Sequence, residues 1–424
     1  MPDILTLLTE QAVAVFRERT QVREENTNIF GNFFHSDHVL QGAQQVSLLP
    51  QARYVAIPNL ANQILLDSEF SIIAPHEGEL DPMVMHPAGG SRGPASGLIT
   101  SLFTAALLQM YYLRLPNTEN VFVRAVLEGF EELRRAIRGE RVRAYSITGI
   151  ARFSLPDGAQ VVTPWGIIRP APKKSDSRAS HPMGQPITTC ILAESKLLPV
   201  VFDRSPSPER SFDAADLEPS RSSYLFPLAC ALASEDASNP VVPLITWTTL
   251  LFPFQQGFGY SYPILPISFG INPDFGDRSS ELEEWARIVD RAHTQSIDIA
   301  AKRMVSAVAH RMDRSDALID AVMVWENLLG TSNEVTFRVS AALAKLIERD
   351  PAKRRELRKR LSDIYGVRSR LIHGASVDSN KINSSCSEAI EFSVQALRAS
   401  YNRGREWLSL SSNERSDEIL LEWQ

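Results

Sequence analysis

The stretch DPAKRRELRKRLSDIYGVRSRLIHGAS, Asp350 to Ser376, carries its own start and stop signals. Asp350 has the short acceptor side chain of an N-cap, Pro351 suits the first helical position, and Gly374 is a terminator. The spacing predicts a helix of about six turns. Along it Leu357, Leu361, Ile364 and Leu371 recur as an apolar seam that would face a bundle. The position missing from the seam is 368, and an arginine stands there. A guanidinium on a buried stripe is costly unless it is ion-paired or faces a ligand cavity. Glu326, set among apolar residues in AVMVWENLLG, is the candidate partner in either case.

Outward from this helix the 3.6-residue period continues. It predicts helices over Ser280–Met312, Ser315–Leu329, Glu334–Arg349 and Asn383–Trp407, with a short one near Asn413–Trp423. Their connections are short, which favours antiparallel neighbours in an all-α bundle spanning residues 277–424. Upstream the texture changes. Runs rich in β-branched and aromatic residues at Ala144–Phe153, Gln160–Ile168, Thr188–Leu192 and Val241–Leu251 read as strands. The Pro/Ser-rich connections Arg169–Pro186 and Asp203–Ser223 read as mobile loops, and the aromatic, Gly/Pro-dotted Phe252–Pro273 as an irregular crossover. Further upstream lie helices at Ile4–Glu18, Gly97–Arg114 and Glu119–Arg138, with a loop at Ala74–Ser96. The expected class is α+β: a mixed α/β region over residues 1–276, β-rich beyond a subdivision near residue 143, then a helical domain from 277.

The bulk numbers suit a soluble globular chain. At 424 residues it exceeds one ordinary core, and 44% hydrophobic with 22% charged residues excludes a wholly disordered or fibrous protein. The first helix, broken by Asp3, Glu10 and Arg17, is amphipathic rather than a leader, and no apolar run reaches the ~20 residues that cross a bilayer. No membrane association and a cytoplasmic location are therefore expected. Three cysteines without C-x-x-C pairing suggest buried thiols rather than disulfides or zinc. Net charge is −6, yet residues 281–424 balance near zero, so the acid excess lies upstream.

Two features bear on chemistry. His373, five residues after Arg368, ends the predicted helix about 140° around the axis from it, so the pair does not share one face. A composite site would need the helix end to open at Gly374 or a second copy to bring its own Arg and His across a two-fold axis. The run Lys353, Arg354, Arg355, Arg358, Lys359, Arg360, extended by Arg370, is either a solvated face or a track for nucleic-acid phosphates. The ligand-rich His76, Glu77, Glu79, Asp81, His86 and the His35, Asp37, His38 turn match no metal spacing, and the glycines of HPAGGSRGPASG lack the Lys-Ser/Thr ending of a phosphate loop.

VMVWENLLG, then EVTFRVSAALA, then a basic helix ending LSDIYGVRSRLIHG resembles, in that order, the ApeA-like branch of the HEPN superfamily (higher eukaryotes and prokaryotes nucleotide-binding) over about 130 residues. Its signature is an Arg, a polar residue, three variable positions and a His, matched by Arg368, Ser369 and His373. The resemblance implies a dimeric, metal-independent endoribonuclease without a cofactor, in which the RNA 2′-hydroxyl attacks the adjacent phosphorus. It makes His373 the acid/base or positioning group, Arg368 the phosphate clamp and Ser369 a hydrogen-bonding helper. Glu334 and Arg338 fall at family-typical positions and would orient the bundle. Prokaryotic anti-phage defence or a stress response would be the setting, transfer RNA a plausible substrate, and residues 1–276 the sensor of an unidentified trigger. A catalytically silent module for dimerisation or nucleotide binding is the alternative that the resemblance also allows.

Overall fold

The computed structural model describes residues 3–25, 56–87, 95–156, 158–171, 190–204, 222–261, 278–330 and 335–421. The chain is α+β and forms two compact units, and the division is not a single cut. The first unit gathers residues 1–151, 166–219 and 245–264, and the second takes 152–165, 220–244 and 265–424. The stretch containing the expected boundary, 262–277, lies outside the described residues. Two excursions of the upstream half thus belong with the helical unit, a discontinuity that a linear reading divided at residue 277 misses.

In the first unit, helices α1 (Ile4–Glu25), α2 (Ala56–Leu65), α3 (Leu98–Tyr112) and α4 (Glu119–Ile137) accompany strands β1 (Met83–Met85) and β2 (Val142–Ala151). The amphipathic α4 turns Phe122, Val126, Phe130 and Leu133 into the core at three- and four-residue spacing, against α1 and α3. Its charged face makes i,i+3 ion pairs, Arg134–Glu131 and Arg135–Glu132, each at 3.1 Å.

The remaining strands are β3 (Val161–Thr163), β4 (Gly166–Pro170), β5 (Cys190–Leu198), β6 (Val201–Asp203), β7 (Leu244–Phe252) and β8 (Gln255–Ser261). Within the first unit the sheet runs β4-β5-β2-β7-β8, and β1 pairs separately with β6. Antiparallel β2 and β5 hold register from Val142–Leu198 to Ile150–Cys190. At Gly149 an added Cβ would sit 2.3 Å from the Trp247 indole nitrogen, so the close approach of β2 to that ring requires glycine. The strand β8 replaces the first part of the expected irregular crossover: Gln255–Ser261 pairs with β7 through a register irregularity between Thr249 and Leu251. Its Gly and Pro neighbours disguised a strand whose pairing supplies the missing order. Most of the two expected Pro/Ser-rich loops lies outside the described residues.

His86, just after β1, is 1% exposed, and neither ring nitrogen has a hydrogen-bond partner among the described residues. It packs tilted on Phe252 at 5.1 Å, and burial pushes its pKa down to about 4. A histidine buried neutral contributes stability that is complete above its unfolded pKa near 6.5 and is lost as pH falls toward 4. Lowering pH across that window should cost about 3 kcal/mol through this residue. Urea titrations at pH 7 and pH 4 should therefore differ more in the native protein than in His86→Phe; an unchanged difference would mean that the ring is not neutral and buried in solution.

The second unit holds α5 (Ser222–Ala233), α6 (Ser279–Ala292), α7 (Asp298–Val305), α8 (Arg314–Leu329), α9 (Val335–Ile347), α10 (Pro351–Ile372), α11 (Ser379–Arg403), α12 (Arg405–Ser409) and α13 (Ser412–Leu421). The sequence reading missed α5, because SSYLFPLACALA is apolar all round with Pro227 inside it and shows no helical period. Such a helix is buried on every side: it packs on α6 and α7, and the Arg398 guanidinium donates to the carbonyls of Leu232 and Ser234 at its end.

The expected single helix over Ser280–Met312 is broken. At His293 the backbone becomes extended, and the buried ring bridges the Tyr401 hydroxyl and Asp298 carboxylate at 2.7 Å each. Further on, Ser306–His310 forms a π-helical turn. Beside it the buried Asp320 accepts from Arg303, Ser306 and Arg311, each at 2.7 Å. Side chains that sequence periodicity scores as polar helix positions are thus the ones that break the helix. In α8 and α11 the Trp325 indole donates to Ser393 at 2.9 Å, and the Ser393 hydroxyl lies 3.0 Å from the carbonyl of Ala321.

Candidate functional site

Helix α10 ends as its sequence dictates. Asp350 accepts from the Ala352 amide at 2.8 Å, and Pro351 opens the helix. At the other end Gly374, at φ +73°, donates to Leu371, and Ala375 donates to Arg370, a Schellman closure. Of the predicted seam, Leu361 and Ile364 are buried, while Leu357 and Leu371 are half-buried; Tyr365 and Val367 complete the inner stripe.

Arg368 occupies that stripe with its side chain 19% exposed. One guanidinium nitrogen, Nη2, donates to Glu326 Oε2 at 3.0 Å, and the plane lies over the Tyr365 ring at 5.5 Å. The Tyr365 hydroxyl donates to the other oxygen of Glu326. Burial, then that hydrogen bond, pushes the phenol pKa up, so Tyr365 remains a donor. The buried Nε of Arg368 has no partner among the described residues. The guanidinium is therefore fixed on one nitrogen and, among the described residues, unsatisfied on another. Tyr365 is the residue that sequence reasoning missed; its place three residues before Arg368, on the same helix face, was the available signal.

His373 is the C-cap of α10 and is exposed. No hydrogen bond or ion pair joins it to Arg368 among the described residues. By the ~100° helical step, Arg355, Arg358, Lys359, Ser369, Arg370 and His373 fall within about 60° of one direction, and Arg368 points to the opposite side. The basic run is less uniform than its sequence suggests. Arg354 is tied to the carbonyls of Glu348 and Arg349 after α9, at 3.1 and 3.0 Å, and Arg360 is paired with Glu388. Lys353, Arg355, Lys359 and Arg370 are exposed and make no ion pair among the described residues. Arg358 lies over the exposed ring of Phe337 at 5.2 Å. Arg338 pairs with Asp417 of α13, and its buried Nε has no partner among the described residues. Glu334 lies outside the described residues.

The other ligand-rich stretches do not assemble. His76 and Glu77 are exposed, Glu79 approaches Arg204 at 3.4 Å, and His86 is enclosed against Phe252. His35, Asp37 and His38 lie outside the described residues. No group of three potential metal ligands occurs among the described residues. All three cysteines are buried. Among the described residues no helix is long and apolar enough to cross a membrane. Compared with models of known families, with curated proteins and with solved structures, the chain finds no match in any of the three.

Proposed function

We propose that the helical unit is a metal-independent endoribonuclease of the HEPN kind, with Arg368 and His373 as its reacting pair. The observation that carries this reading is Arg368: a guanidinium fixed by Glu326 and Tyr365 whose Nε has no partner among the described residues, on the helix that ends in an exposed histidine. A planar cation held by one edge is pre-organised for a phosphate oxygen on which charge develops. His373, an exposed imidazole at the helix end, moves the proton between the 2′-hydroxyl and the 5′ leaving oxygen. The bonds balance without another reactant: oxygen–phosphorus forms, the 5′ oxygen departs protonated, and a 2′,3′-cyclic phosphate remains. Because Arg368 and His373 of one chain point apart, the working cleft needs two copies, each supplying a helix end. Arg355, Arg358, Lys359 and Arg370, on the His373 side of α10, would guide the RNA backbone, with Ser369 a hydrogen-bonding group beside them. Anti-phage defence or a stress response, and transfer RNA as a substrate, follow only from the family resemblance.

A second reading has one observation in its favour: Glu326 already neutralises Arg368, as it would in a silent module for dimerisation or nucleotide binding. Purified protein incubated with total and transfer RNA in EDTA separates the two. Cleavage leaving cyclic-phosphate and 5′-hydroxyl ends, lost in Arg368→Ala and His373→Ala, is the expected result. Cleavage undiminished in either variant removes that residue from the site, and ends of another chemistry overturn the mechanism.

A further inference from the structure

In the first unit a groove of about 670 Å³ opens between α1 and α4, the size of small-molecule sites. Its apolar wall comes from Leu5, Val13, Val123, Leu127 and the ring of Tyr145. The charged groups facing it are Glu119, Glu128, Glu131 and Glu132, against Arg124 and Arg143. Three of those carboxylates are steered by arginines outside the lining: Glu119 by Arg17 at 2.9 Å, and Glu131 and Glu132 by Arg134 and Arg135 at 3.1 Å each. The Arg143 amide adds a bond to Glu132 at 2.8 Å. Glu128 has no ion partner among the described residues.

At the base lies Gln109, only 4% exposed yet part of the lining. Its amide nitrogen donates to the Pro253 carbonyl at 3.4 Å, which fixes the orientation of the carboxamide, because an oxygen placed there would meet another acceptor. The Gln109 side-chain oxygen accepts no hydrogen bond among the described residues. A carboxamide oxygen that lines the groove without a donor among the described residues, beside lining carboxylates that outnumber the lining guanidiniums, calls for a ligand that brings N–H donors and positive charge. Glu128 and Glu132 are about 6 Å apart along α4, the reach between amines separated by a short methylene chain, and the apolar wall suits the methylenes.

We propose that this groove binds a linear aliphatic polyamine, with ammonium groups on Glu128 and Glu132, a further N–H on Gln109 and the chain against Leu5 and Leu127. The proposal stands apart from the ribonuclease reading, since its readout needs no RNA. Isothermal titration of the full-length protein with spermidine, with magnesium chloride as a compact dication control, tests it. A saturable single site is expected, weakened at least tenfold in Glu128→Gln and in Gln109→Leu and unchanged in Glu77→Gln, whose carboxylate is exposed elsewhere on the unit. Glu128 is exposed, so Glu128→Gln decides the matter even if Gln109→Leu fails to fold. Absence of saturable binding, equal affinity in Glu128→Gln, or equally tight competition by magnesium would each overturn the proposal.

Discussion

Arg415→Met should cost the helical unit about 3–5 kcal/mol, the scale of an interior charge network broken from one side. Arg415 is 1% exposed, and no carboxylate pairs with it among the described residues. Its guanidinium donates instead to the carbonyls of Asn327 at 2.9 Å, Leu328 at 2.8 Å, Leu408 at 3.1 Å and Leu410 at 2.6 Å, and to the Ser296 hydroxyl at 3.3 Å. These acceptors belong to the C-terminal end of α8, the end of α12 and the turn before α7, so one side chain joins the carbonyls of two helix ends and a hydroxyl of a third segment. Burial pushes the Arg415 pKa down to about 10, and the five acceptors offset that desolvation. Methionine matches the stem but removes the guanidinium donors from Asn327, Leu328 and Leu410, while the Leu408 carbonyl keeps the hydroxyls of Thr294 and Ser296. Lysine retains the charge but lacks the planar fork, so Arg415→Lys should fall between the two. Urea unfolding followed by circular dichroism at 222 nm checks this, and an Arg415→Met midpoint equal to the native one would show that those carbonyls find other partners.

Nothing in RSDEILL announces that role for Arg415. On the chain it is one of several charged positions in a short terminal helix, and three of its five acceptors, on Asn327, Leu328 and Ser296, come from residues 87 to 119 positions away. Helix α10 was legible because its signals are local: Asp350, Pro351 and Gly374 act within a few residues of themselves, and Leu361 and Ile364 advertise the buried stripe by spacing alone. The pairing of Arg368 with Glu326 could also be anticipated, since a charge on an apolar stripe narrows its partners to other charges on apolar stripes. What the spacing could not supply is the side-chain chemistry that interrupts regular structure. His293 ends a helix by reaching Tyr401, and the π-helical turn at Ser306–His310 lies where Asp320 gathers three donors. In the same way α5 lacked an amphipathic pattern because it is enclosed on all sides, and β8 was hidden by glycines. The basic run divided on similar grounds: Arg354 and Arg360 are committed to fold contacts, while their neighbours on the chain face solvent.

Under the ribonuclease reading, Arg368→Ala should lower the cleavage rate about 100- to 1,000-fold, the loss that follows removal of one donor to a developing oxyanion. Arg368→Lys should lose nearly as much, because an ammonium cannot keep one edge on Glu326 while presenting another to phosphate. The ion pair itself is partly exposed, 19% and 26% for the two side chains, and contributes about 1 kcal/mol or less to the fold, so these variants should melt close to the native protein. Glu326→Gln keeps an acceptor for Arg368 and for the Tyr365 hydroxyl and should retain cleavage within about tenfold, whereas Glu326→Ala releases both and should fall further. The exchange Arg368→Glu with Glu326→Arg separates fold from chemistry, since it can restore a pair across α8 and α10 while moving the cation off the helix that ends at His373. If Arg368 meets the phosphate, the exchanged protein will be folded and inactive. A folded exchange variant that cleaves RNA as well as the native protein would make the pair a brace of the bundle and nothing more.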